Sequence, residues 1–446
     1  MKLGFWITHV KGIKRWIILG IMGILSIVSG IVGLICNLRY NNSNNIYMIS
    51  ICASVTCLGI FLITLSVKKS LDSIIKFINN EFDNINLNSD EMQSVLHNKK
   101  VLLSRPKVVV LGGGTGLSNL LRGMKKFTAN ITAIVTVGDD GGGSGVLRED
   151  LDMIPPGDIR NCILALAHTE PVMEELLQYR FTEGRLKGQS FGNLFLAAMD
   201  GISENFMEAV QKVSSVLAVT GKVLPVTMKK IILKAKLENG NIIEGESNIP
   251  KEVIEQGSPI KKMYMEPNNA RGLREAVLAI KEADAIILGP GSLYTSVIPN
   301  LLVNDIKKEI HKSSATKIYI SNIMTQSGET ENYTVSDHIK AIYTHAGKGI
   351  IDYVIANNGE IDETLEERYK KEDAILVKVD KEKIESLGVS LIEDNLIKIK
   401  EGYIRHDTYK ICEIIIEDIM KKELSIEEKK KLQNLYHIEN IRKNVN

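Results

Sequence analysis

The sequence predicts an α/β protein: a Rossmann-like domain with a mostly parallel sheet and an inserted β-hairpin, preceded by two transmembrane helices. Three observations carry this. Short β-branched runs such as Lys107–Leu111 and Ala285–Leu288 end in glycine-rich turns that open into helical patterns. Asn239-Gly240 stands between two apolar runs, a hairpin signal. Two uncharged stretches, 23 and 22 residues long, precede all of this.

Composition bounds the rest. A length of 446 residues corresponds to two or three folding units, and 44% apolar residues suffice for a buried core. Lys and Arg number 55 against 54 Asp and Glu, a net charge of +1. That balance offers no basic face for nucleic acid. The five cysteines form neither a CxxC pair nor a Cys/His cluster, which argues against a zinc site or a disulfide framework.

Residues 1–69 read as a transmembrane hairpin. Trp16–Leu38 and Ile46–Val67 each exceed the ~20 residues that cross ~30 Å of hydrocarbon as a helix. Lys2, Lys11, Lys14 and Arg15 precede the first span, and Lys68, Lys69 and Lys76 follow the second. The positive-inside rule therefore places both ends in the cytoplasm and the short Arg39–Asn45 loop outside. Gly20, Gly23, Gly30 and Gly33 offer close-approach positions between the spans. Residues 70–104 read as a juxtamembrane amphipathic helix, with Leu71, Ile74, Ile75 and Ile78 at helical spacing, and a polar linker.

From residue 105 to 446 strand and helix alternate. After Lys107–Leu111, Leu117, Leu120, Leu121 and Met124 recur at helical spacing. Ile131–Val137 is the next strand, and Asp158 is placed to N-cap a helix over Ile159–Ala167. Ala285–Leu288, Lys317–Ile320 and Tyr353–Ala356 are further buried parallel strands. Ile231–Leu237 and Ile242–Glu246 form the hairpin. The tail from Glu413 reads as a charged helix, with Glu427–Lys431 a solvated face.

Polar and glycine-rich residues collect where the parallel strands end, which is where ligands bind in open α/β sheets. Gly112–Gly116 joins a strand to a helix, so free N–H groups and the helix dipole favour an anion. No Gly-Lys-Ser/Thr follows, which excludes a Walker A loop. Leu117 stands where a dinucleotide fingerprint wants its last glycine. Asp139 and Asp140 suit ribose hydroxyls or a hard divalent cation. Gly289, Gly291 and Ser292 open a second strand–loop–helix anion site. Asn193 and Asn322 are amides suited to reading a base or a sugar. His338 reads as a structural histidine near a helix start. No hydrolase elbow, HExxH or kinase signature occurs, so no complete catalytic apparatus is legible.

The string VLGGGTGLSNLLRGMKKF, with ITAIVTVGDDGGGSGVLRED and PPGDIRNCILALA, resembles the bacterial YvcK-like gluconeogenesis factors, relatives of the archaeal CofD 2-phospho-lactate transferases. GQSFGNLFLAAM, GKVLP, GPGSLYTSVIPNLLV and NIMTQSGETENYTVSDH extend the resemblance over most of residues 105–420. It implies a nucleotide-sugar-binding domain that takes UDP-N-acetylglucosamine, acting as a regulator of cell shape and peptidoglycan precursor supply on gluconeogenic carbon sources. Carried over residue by residue, the binding set is Gly113, Gly114, Thr115, Gly116, Asp139, Asp140, Asn193, Gly289, Gly291, Ser292 and Asn322. The family's second loop is closer to ADDGGSSG, whereas this chain has Gly138 and Gly143. The membrane hairpin is an addition to the common soluble form.

The expectation is therefore a membrane-tethered regulator with a cytoplasmic main domain. It requires no cofactor, and its partners are a UDP-sugar, the membrane and proteins of cell-wall synthesis or regulation, with room for a homo-oligomer. Two alternatives stay open. One is a CofD-like transferase of phosphate esters that uses Mg²⁺ held by Asp139 or Asp140. The other is an NAD-binding protein, since an acid follows the first loop at about the spacing of ribose-binding carboxylates.

Overall fold

The computed structural model describes residues 13–40, 46–81, 102 and 105–420. The chain divides into two compact units, Met1–Asn98 and Lys99–Asn446.

In the first unit a helix over Ile13–Tyr40 packs against one over Ile46–Glu81. Within them Ile18–Asn37 and Tyr47–Ser70, of 20 and 24 residues, are long and apolar enough to cross a bilayer. The second helix continues to Glu81, so the expected juxtamembrane helix is an extension of it. The helices meet through glycines. A Cβ on Gly23 would lie 2.9 Å from the Gly59 carbonyl oxygen, and one on Gly59 would lie 2.7 Å from that of Gly23. The Ser66 hydroxyl donates to the Trp16 carbonyl oxygen at 2.6 Å. Ile18, Leu25, Ile35 and Phe61 face outward, so the helix pair presents an apolar outer surface.

The second unit starts with β1 (Val108–Gly112), β2 (Ile131–Val135) and β3 (Lys222–Pro225), which lie side by side. Next come β4 (Ile232–Leu237), β5 (Ile242–Glu244) and β6 (Ile260–Glu266), an antiparallel sheet of order β5-β4-β6. This is the expected hairpin with a third strand added. The chain then returns to the main sheet with β7 (Ala285–Leu288), β8 (Thr316–Ile320), β9 (Tyr353–Asn357) and β10 (Ser390–Asp394). Finally β11 (Ile397–Lys400) and β12 (Tyr403–His406) form a second hairpin.

The seven-stranded sheet has the order β10-β9-β8-β7-β1-β2-β3, with every neighbouring pair parallel. All five residues of β1 are buried and Val110 pairs with Ala133 on one side and Ile287 on the other. Such strands carry apolar side chains on both faces because helices cover both. The helix over Gly114–Met124 buries Leu117, Leu120, Leu121 and Met124, as their spacing predicts. The chain builds outward from β1 to β3, then restarts at β7 on β1's other side. The order therefore reverses between β1 and β7, and ligands of open α/β sheets bind outside the carboxyl ends at such a point.

The tail expected as a charged helix from Glu413 differs in its described part: an α-helix over Thr408–Glu413 ends there and passes into a π-helical turn over Ile414–Ile419 that buries Ile414, Ile415 and Ile416. Glu427–Lys431 and most of the 82–104 linker lie outside the described residues.

Candidate functional site

The two glycine loops follow β1 and β7, the two strands at the reversal, and they touch. A Cβ on Gly116 would lie 2.5 Å from the Pro290 carbonyl oxygen and 3.2 Å from the Gly291 Cα. Only glycine permits that approach at position 116. Thr115 and Gly116 then face Pro290 and Gly291 across a cleft whose far wall holds Asn322, Tyr369, Arg405 and His406. Four of the sequence-predicted residues, Thr115, Gly116, Gly291 and Asn322, thus share one cleft.

Arg405 and His406 of that wall come from the β11–β12 hairpin, which sequence reasoning missed. Its turn, Glu401-Gly402, has positive φ at both residues (54° and 75°), a weaker signal than Asn-Gly. The helix over Glu363–Lys370 secures it. The Tyr369 hydroxyl accepts the Ile404 N–H at 2.8 Å, and Arg368 donates to the Gly402 carbonyl at 2.9 Å. Tyr403 holds the Arg368 guanidinium 4.2 Å and the Arg405 guanidinium 5.3 Å from its ring centre. His406 reaches the Ser321 carbonyl oxygen at 3.0 Å, and burial lowers its pKa, so it serves as a neutral donor. Arg405 is left as the cation at the cleft's edge.

On the β2 side, Gly113 lies between the loop and Asp158: a Cβ there would meet Asp158 Oδ2 at 2.6 Å. Asp158 does not cap its own helix, contrary to the sequence expectation. That helix runs over Gly157–Leu166 with Pro156 at the cap position, and the Asp158 carboxylate instead accepts the Gly114 N–H. Proline at the cap leaves the carboxylate free to turn toward the first glycine loop. Burial pushes its pKa up to about 6, with repulsion from Asp139 adding to it and the Gly114 bond and Arg160 opposing.

Asp139 and Asp140 diverge, as adjacent carboxylates do. Asp139 Oδ1 accepts the Gly141 N–H at 3.0 Å, while its Oδ2 would lie 3.0 Å from a Cβ on Gly157. Asp140 turns to the antiparallel insertion and accepts the Ser247 N–H at 2.9 Å. Asn193 donates from Nδ2 to Ser144 Oγ at 3.5 Å, and its buried Oδ1 has no protein partner. Gly138 and Gly143 have steric reasons: a Cβ would come within 2.9 Å of Leu233 Cδ1 or 2.8 Å of Gln189 Oε1, respectively.

The β7 loop is supported from beneath. Glu329, fully buried, accepts the Tyr294 N–H at 3.1 Å, the Thr295 hydroxyl at 3.0 Å and Gln326 Nε2 at 2.9 Å. A carboxylate of the protein thus sits at the start of the π-helical turn Leu293–Val297, where an anion was expected. Burial raises its pKa to about 7 against those hydrogen bonds. Ser292 donates to Gln326 Oε1 at 2.8 Å, so its hydroxyl belongs to this support. Gly289 has a φ of 80° and turns the chain out of β7. Asn300 Nδ2 donates to the Gly112 and Ser296 carbonyls at 3.2 and 2.8 Å, joining both loops from below.

His338 is buried with Nδ1 against the Thr334 carbonyl at 2.9 Å, while its Nε2 has no protein partner, so it is only half of the satisfied structural histidine the sequence suggests. Glu246, another acid missed in the sequence, has its pKa raised by burial and then by Asp158, Asp139, Glu329 and Asp140. Among the described residues no three His, Cys, Asp or Glu side chains are grouped to hold a metal ion.

The family model for 2-phospho-L-lactate transferase CofD matches residues 108–397. A Clostridium acetobutylicum relative is 54% identical over 444 residues, covering 100% of this chain and 98% of that protein. The gluconeogenesis factor of Bacillus subtilis is 47% identical over 319 residues, 71% of this chain and 99% of that protein. A crystal structure of a UPF0052 family member from Bacillus halodurans superposes with a TM-score of 0.68 at 49% identity, covering 70% of this chain and 100% of that one. These matches show that the chain belongs to the CofD-like family and stands there among the bacterial gluconeogenesis factors.

Proposed function

We propose that this protein is a membrane-tethered regulator that binds a UDP-sugar, UDP-N-acetylglucosamine first among them, and adjusts peptidoglycan precursor supply and cell shape on gluconeogenic carbon sources. The observation that carries the ligand is the convergence of Thr115, Gly116 and Gly291 with Asn322 and Arg405 in one cleft at the strand-order reversal. Glycine backbones admit a diphosphate closely, Arg405 offers a planar fork to its oxygens, and Asn322 offers an amide for a uracil or sugar group. The two apolar helices support the tether, with the main domain and N-terminus on the cytoplasmic side. The tether concentrates the sensor beside membrane-bound wall synthesis.

The test is calorimetric titration of the full-length chain in lipid nanodiscs. UDP-N-acetylglucosamine binds the wild type, and Arg405→Gln weakens it by about tenfold or more. Absence of binding refutes the ligand.

A second reading is favoured by the Asp139–Asp158 pair beside the first loop: a Mg²⁺-dependent transferase of phosphate esters. Two carboxylates with phosphate oxygens and water are a donor set that Mg²⁺ accepts. Turnover of a nucleotide-activated donor that requires Mg²⁺ and is lost in Asp139→Asn selects it; recovery of every donor intact dismisses it.

A further inference from the structure

Beside the nucleotide cleft, along the flank of the Gly114–Met124 helix, lies a second polar cavity of about 430 Å³. Its lining holds four cations, Arg122, Arg160, Arg180 and Lys400, against one acid, Glu174. Glu174 is taken by Arg122 at 2.5 Å. Lys400 stands at the rim, 3.8 Å from its neighbour Glu401.

Arg160 and Arg180 are different. Arg160 is held by neutral acceptors, Ser190 Oγ at 2.8 Å and Asn161 Oδ1 at 2.7 Å, and its buried Nε has no partner. Arg180 is held by the Gly188 carbonyl. The two guanidinium groups are close enough to repel. Asp158 is the carboxylate acting on Arg160, and it is already bonded to Gly114. Asp158 offsets the repulsion from Arg180 only in part, so the two guanidinium groups favour an anion that joins them.

We propose that this cavity, adjoining the glycine-loop cleft, is an anion site that takes the phosphate of a small phosphorylated molecule on Arg160 and Arg180. The guanidinium fork matches phosphate geometry, and the cavity volume suits a small metabolite. Thr115 and Asn119 line both this cavity and the nucleotide cleft. The phosphate therefore comes from one of two sources: a separate metabolite, or the diphosphate of a nucleotide lying across Thr115.

The test uses inorganic pyrophosphate as the probe, titrated into the full-length chain in nanodiscs. Arg180 is exposed, so Arg180→Gln keeps the fold. Arg160 fills the space beside Gly192, where a Cβ would meet its Cδ at 2.6 Å, so Arg160→Gln is read only alongside a melting curve. The expected result is pyrophosphate binding that Arg180→Gln weakens about tenfold. Binding that persists at saturating UDP-N-acetylglucosamine identifies a separate metabolite. Competition, with both ligands weakened by Arg180→Gln, identifies the nucleotide's own diphosphate. Absence of pyrophosphate binding, or an affinity that Arg180→Gln leaves within twofold of the wild type, overturns the site. The nucleotide titration in the same sample reports on the cleft independently, so either proposal fails without the other.

Discussion

Gly116 faces the Pro290 carbonyl oxygen with no room for a methyl group, since a Cβ would stand 2.5 Å from it. The obstacle is backbone, so it cannot rotate away. Gly116→Ala forces the β1 and β7 loops apart and costs about 1–3 kcal/mol of stability, the range of overpacking. UDP-sugar affinity falls with it by at least tenfold. Denaturant melts and titration of the variant check both; unchanged values mean the loops do not act together.

Asp158 and Glu329 predict a pH dependence. Their folded-state pKa values, about 6 and about 7, lie above the ordinary carboxylate range. These two groups therefore take up protons on folding between that range and about pH 7, and their contribution to stability falls as pH rises through this window, opposed by the buried histidines His338, His345 and His406, whose pKa values burial lowers. Asp158→Asn removes its part of the slope. Denaturant midpoints across the window test this; the same slope in wild type and variant contradicts it.

Asp140 is bonded to the insertion and not to the first loop. Asp140→Ala releases the Ser247 N–H and costs about 1.5–3 kcal/mol, the range for a lost hydrogen bond to a charged group. The loss appears in hydrogen exchange at Gly245–Ile249 before it appears in the parallel sheet. Uniform exchange changes across both sheets dismiss this role.

Glu329 organises two donors of the second loop, the Tyr294 N–H and the Thr295 hydroxyl, together with Gln326. Glu329→Ala leaves those donors buried and unpaired, and costs about 2–4 kcal/mol. A thermal melt like the wild type's shows that the loop holds without it.

The tether predicts topology. In a background with Cys36, Cys52 and Cys57 replaced by Ala, Ser43→Cys reacts with an impermeant maleimide added to intact cells. Labelling only after lysis reverses or removes the proposed span orientation.

The sequence showed clearly what depends on neighbours along the chain. β1 and its glycine loop, the 3.6-residue spacing of Leu117 to Met124 and the Asn239-Gly240 hairpin are local patterns, and all three are present. What it hid depends on distant partners. Arg405 reaches the cleft from a hairpin nearly three hundred residues after Thr115, through a Glu-Gly turn with a faint signal. Glu329 meets Thr295 across 34 positions, and nothing near it in sequence marks a carboxylate that holds a loop. Asp158 looked like a helix cap because its neighbours suit one; tertiary packing turned it to Gly114 instead.

The central claim is that the cleft takes an intact UDP-sugar. The most direct measurement is unfolding of the full-length chain in nanodiscs with UDP-N-acetylglucosamine, UDP-glucose, NAD, GTP and Mg²⁺ in turn. At a hundred times its dissociation constant a ligand stabilises the fold by about 2.7 kcal/mol. The account predicts that shift for UDP-N-acetylglucosamine without Mg²⁺, with the ligand recovered unchanged. A shift with NAD or GTP alone, or one that needs Mg²⁺ and consumes the ligand, contradicts it.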